Sequence, residues 1–118
     1  MTEPSENHNV GKGEAITFPD PNLEAAIREA TGKTTGPIYP SDLTKLTRLK
    51  LYGKQISDIS PLANLTSLGT LYLDNNQIRD ISPLANLTNL EDLRLAKNPI
   101  SDISFLANLP NLRWLDLA

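Results

Sequence analysis

The sequence predicts an α/β solenoid, a right-handed rod of stacked chain turns with parallel strands along its concave side. Two observations predict it. From Leu46 onward the chain falls into register as LTRLKLYGKQISDISPLANLTS, LGTLYLDNNQIRDISPLANLTN, LEDLRLAKNPISDISFLANLPN and the stub LRWLDLA. In that register Leu46, Leu68, Leu90 and Leu112 share a column, as do Leu49, Leu71, Leu93 and Leu115, then Leu51, Leu73, Leu95 and Leu117, then Ile56, Ile78 and Ile100. A unit too short to bury its own apolar face must bury it against the next copy, so the recurrence specifies stacking.

The spacing L-x-x-L-x-L-x-x-N-x-L at a fixed period of about 20–29 residues is the signature of a leucine-rich repeat. The segment x-x-L-x-L-x alternates in and out, so it is a strand, and successive strands lie parallel about 4.8 Å apart. Asn76 and Asn98 follow their strands at the bend, where a side-chain amide can bond the backbone groups of the turning chain. Lys54 holds the matching place in the first unit, which predicts looser turn geometry there. The return limbs ISDISPLANL, IRDISPLANL and ISDISFLANL are too short for long helices and predict 3₁₀ or single α turns. Ser60-Pro61 and Ser82-Pro83 pair a capping residue with a helix-start proline. Phe105 replaces that proline, so the third turn should be less tightly preset. Ile59, Leu62, Leu65, Ile81, Leu84, Leu87, Ile103, Leu106 and Leu109 should point into the core.

Before the repeats, residues 1–14 are polar and contain Gly11 and Gly13, the composition of a disordered tail. It holds the only histidine, His8, read as a solvated residue. Residues 15–45 should form a helical cap. Ala15 to Phe18 leads in, Asp20-Pro21 opens a helix, and Leu23, Ala26, Ile27 and Ala30 make one apolar stripe. Gly32 ends it, Gly36-Pro37 turns, and a second helical piece covers Ser41 to Lys45. The cap shields the first repeat and its strand edge. Residues 46–118 are the repeats, about three and a half of them. Leu112, Leu115 and Leu117 would lie at an open end, which predicts a truncated piece of a longer array or end-to-end association.

The net charge of −3 offers no basic field for nucleic acid, and no apolar run is long enough to span a membrane. The absence of cysteine excludes disulfides and thiol chemistry. No cofactor site, metal site or catalytic residue is predicted. Lys33-Thr34 after Gly32 lacks the earlier glycine of a phosphate loop, since Ile27 stands there. Asp58, Asp80 and Asp102 recur every 22 residues. Stacked carboxylates suit a hard cation, but one spacing repeated along a backbone is better explained by local bonds at each bend. The sequons at Asn64 and Asn86 are by-products of the repeat.

What remains is the outward side of the strands. Its columns are Arg48, Thr70, Asp92, Trp114, then Lys50, Tyr72, Arg94, Asp116, then Tyr52, Asp74, Ala96, Ala118. Tyr, Trp and Arg among charges are what binding hot spots favour. The residues read as contacting a protein partner are Arg48, Lys50, Tyr52, Thr70, Tyr72, Asp74, Asp92, Arg94, Trp114 and Asp116, with Tyr52, Tyr72, Arg94 and Trp114 as anchors. Arg94 should lie against Tyr72 and pair with Asp116. The competing reading is a solvated sheet whose charges satisfy one another, with Trp114 merely covering the end.

The unit N-x-I-S-D-I-S-P-L-A-N-L-T-N-L and the cap FPDPNLEAAIREATGK…SDL resemble the internalin-like bacterial leucine-rich repeat proteins over about Ile16 to Ala118. Lys54 at an asparagine position and the lack of a C-terminal cap depart from that pattern. The resemblance implies a secreted or cell-surface bacterial protein gripping partner proteins with its concave face. Two other roles fit the sequence: a spacer or targeting arm of a larger secreted enzyme or cell-wall protein, or an intracellular regulatory scaffold.

Overall fold

The computed structural model describes residues 13–118, and the expected tail and His8 lie almost wholly outside them. The element order is α1 (Pro21–Thr31), α2 (Pro40–Leu43), then β1 (Arg48–Lys50), β2 (Thr70–Tyr72), β3 (Asp92–Arg94) and β4 (Trp114–Asp116). A 3₁₀ turn follows each of the first three strands, at Ser60–Asn64, Ser82–Leu84 and Ser104–Asn108. The strands form one parallel sheet in the order β1-β2-β3-β4. Leu49 pairs with Leu71, Leu71 with Leu93 and Leu93 with Leu115, each step one repeat. The product is a rod of 56 × 28 × 22 Å.

The leucine and isoleucine columns form one continuous core, fully buried from Leu62 through Leu93. It thins toward the last strand. Ile103, expected inside, is 45% exposed, and Leu115 and Leu117 are 42% and 40% exposed, because among the described residues no strand packs on the far side of β4.

In the cap, Asp20 accepts the Asn22 N–H at 2.9 Å, Pro21 opens α1, and Gly32 closes it in the left-handed conformation. The buried stripe is Leu23, Ala26 and Ile27. Ala30 is exposed, as it lies past the line where the helix meets the first repeat. Helix α2 begins one residue earlier than expected and ends at Leu43; the Asp42 carboxylate accepts the Tyr39 N–H at 2.8 Å and fixes that start.

Two expectations about the turns need correction. Serine does not cap the 3₁₀ turns; the aspartate two residues before it does. Asp58, Asp80 and Asp102 each accept the N–H of Ser60, Ser82 and Ser104 at 2.9 Å. The third turn, with Phe105 in place of proline, is as long as the first. The carboxylate presets all three, and Phe105 packs against the core instead.

The asparagines bond across repeats. Asn76 Oδ1 accepts N–H groups from Lys54 at 2.9 Å and Ile56 at 3.0 Å, while its Nδ2 donates to the carbonyls of Leu51, Leu73 and Asp74. Asn98 accepts from Ile78 and donates to Leu73, Leu95 and Ala96. The first and second bends are therefore each closed by an amide of the following unit. The bend at Lys54 is held rather than loosened, though it carries an extra left-handed residue, Gln55 at φ 58°, whose carbonyl accepts from Asn22 of the cap.

Candidate protein-interaction face

The register places the outward residues in the expected columns. Arg48, Thr70, Asp92 and Trp114 stand in one line, Lys50, Tyr72, Arg94 and Asp116 in the next. Thr70, Tyr72, Asp74 and Asp92 are half-buried, and Arg48, Lys50, Tyr52, Arg94, Trp114 and Asp116 are exposed. The outward side chains therefore form one continuous surface along the rod.

Its centre is a locked cluster. The Tyr72 hydroxyl donates to Asp92 Oδ2 at 3.0 Å. Arg94 lies over the Tyr72 ring with Cζ 4.3 Å from the centroid, and Lys50 lies 5.5 Å from the same centroid. Arg94 reaches the Asp92 carboxylate from Nε at 3.3 Å, and that bond raises the guanidinium pKa further. So Arg94 does lie against Tyr72, but it pairs with Asp92, two residues back on its own strand, and not with Asp116. Asp92 is half-buried and lies beside both Tyr72 and Arg94, which makes it the nearer carboxylate.

The unoccupied aromatic surface lies at the flanks. Tyr52 is 56% exposed and Trp114 58% exposed, the latter with Arg113 5.7 Å from its ring. A shallow groove of about 460 Å³ runs along the ends of the strands between Tyr52, Gly53, Asp74, Asn75, Ala96 and Lys97. Asp74 Oδ1 is buried there with no hydrogen-bond partner among the described residues. The sequence reading missed the rim formed by Gly53, Asn75 and Lys97. All three have left-handed backbones, at φ 67°, 59° and 60°, and their 22-residue spacing was the available signal.

A second missed residue is Asp20. Its Oδ2 accepts from Ser57 N at 2.7 Å, Ser57 Oγ at 3.2 Å and Asp58 N at 3.1 Å, which sews the cap to the first repeat. Burial pushes its pKa up, but these bonds and the one from Asn22 outweigh that and hold it below the ordinary aspartate value. No local motif signals a bond spanning 37 residues.

Comparison with known proteins agrees with this geometry. The family model for leucine-rich repeats in two copies matches residues 41–86, and a second leucine-rich repeat model matches 66–118. No curated protein matches the chain. Among solved structures, an internalin, InlF, from Listeria monocytogenes is 38% identical over 86% of this chain, with a TM-score of 0.65. The functional domain of InlJ from the same species is 26% identical over 88%, with a TM-score of 0.73. A structure of the CBM51-2 and INT domains of Clostridium perfringens ZmpB is 29% identical over 78%, with a TM-score of 0.61. The chain spans only 37%, 24% and 22% of those structures' lengths. Matching repeat models, one strand per repeat in a parallel sheet, and likeness to two Listeria internalins place this chain among the bacterial internalin-like leucine-rich repeat proteins.

Proposed function

We propose that the chain is a non-catalytic protein-interaction module of a secreted or surface-attached bacterial protein, holding a partner protein against its sheet face. The observation that supports this most is the arrangement of that face. A rigid centre of Tyr72, Arg94 and Asp92 is flanked by two exposed aromatic rings, Tyr52 and Trp114. Preordered side chains lose little freedom on binding, and exposed aromatics supply contact area at low entropic cost. The face carries about a dozen outward side chains, against roughly 20–30 residues a side in a standard interface, so this segment alone should bind weakly. The likeness to ZmpB domains within a longer chain supports a second reading, an arm that positions other domains.

The test is capture from a bacterial-host surface-protein extract with the partner identified by mass spectrometry. Tyr52→Ala with Trp114→Ala, and separately Tyr72→Ala with Arg94→Ala, should each lose that partner at least about tenfold. Arg79→Ala, away from the sheet, should keep it. Equal capture by all variants removes the face from the account and favours the arm reading.

A further inference from the structure

The first rung of the sheet differs from the two inner ones in charge and in its free edge. Lys45, Arg48, Lys50 and Lys54 are four cations in ten residues with no carboxylate among them, in a chain of net charge −3. All four are exposed, and none forms an ion pair among the described residues. Arg94, by contrast, is neutralised by Asp92.

The edge follows from the ladder. Thr70 N–H donates to the Thr47 carbonyl and Leu51 N–H to the Tyr72 carbonyl. In a parallel ladder successive residues of a strand face opposite neighbours. Thr47, Leu49 and Leu51 therefore serve β2, and the backbone groups of Arg48 and Lys50 point outward, where no described residue bonds them, so the cap covers the first repeat's core but does not pair its strand edge as expected. Beside that edge is a groove of about 180 Å³, lined by Ala26, Glu29 and Ala30 of α1 and by Arg48, Lys50 and Lys54 of the rung. The two alanines leave space that larger side chains would fill.

We propose that an acidic, extended segment of the partner protein lies along this edge. Its backbone bonds that of Arg48 and Lys50, as strand-adding peptides do, and its carboxylates meet Arg48, Lys50 and Lys54. The inference rests on the reading of the sheet as a partner-binding surface and names the chemistry of one part of the partner. Glu29 stands on the helix lip, so the acidic side chains of the segment fall on the strand side. A nucleic acid would meet the cations but not the edge, because a phosphodiester chain has no donors and acceptors alternating at strand spacing.

The probe is a fluorescein-labelled octapeptide alternating Glu and Val, followed by anisotropy, with the Lys–Val counterpart as control. The acidic peptide should bind at least about tenfold tighter, and Arg48→Glu and Lys54→Glu should each weaken it by about tenfold. Arg79→Glu, the same charge change away from the groove, should leave binding unaltered. Amide NMR shifts on titration should centre on Arg48 and Lys50, and thermal melts should show each exposed-site variant folded. Equal binding of the two peptides overturns the inference, as does an equal loss with Arg79→Glu, unmoved Arg48 and Lys50 amides, or equal competition by oligothymidylate. If the peptide fails while partner capture still depends on Tyr72 and Arg94, this inference falls and the sheet-face reading stands.

Discussion

Lys97 occupies a backbone shape that its neighbours in the column meet with better residues. Asn75 and Gly53 hold the same left-handed turn one and two units earlier. An L-residue with a long side chain pays roughly 1–2 kcal/mol there, which glycine avoids. Lys97→Gly should therefore raise stability by about 1 kcal/mol in urea unfolding. Asn76 lies at the other extreme, since its buried amide satisfies five backbone groups from two repeats. Asn76→Ala leaves several of them without partners, so the loss should be about 3 kcal/mol or more, and larger than for half-buried Asn98→Ala. Which residues face inward was legible, because the leucine spacing repeats. That Arg94 would choose Asp92 was not, because both carboxylates are within a long side chain's reach and only its rotamer decides.

Among elements, the seam between cap and first repeat depends on one carboxylate. Asp20 caps α1 and also gathers the N–H groups of Ser57 and Asp58. Its folded-state pKa lies below the unfolded value, so its contribution is fully present above the unfolded pKa of about 3.9. That contribution is lost as pH falls through the lower folded pKa. Stability measured from pH 6 downward should thus drop more steeply in the native chain than in Asp20→Asn, and amide exchange should open α1 first. The capping half of this role could be read from Asp20-Pro21. The seam could not, since its partners lie in a different unit of the chain. The turns teach the complementary lesson: Phe105 was expected to weaken one, but the recurring Asp-x-Ser bond carries all three.

At the scale of the whole rod, stability accumulates from contacts between neighbouring units, and the final rung has a neighbour on one side only. Trp114, Leu115 and Leu117 there leave apolar surface and a strand edge open. Isolated copies should meet at that end, so light scattering should report mass above the monomer at high concentration. Leu115→Asp with Leu117→Asp should restore the monomer, and a native chain monomeric throughout would refute the expectation. The architecture was almost entirely readable in advance, since 22-residue recurrence leaves few ways to bury so many leucines. The relief of the sheet face was less so, because exposure of Tyr52 and concealment of Tyr72 depend on neighbours in other units.

The asparagine bonds close both internal joints by the same means, and this makes rod length editable. Removing residues 68–89 would bring Asn98 to where Asn76 now sits, with its amide facing Lys54 and Ile56. The shortened protein should close with the same hardware, one rung shorter and otherwise unchanged in plan.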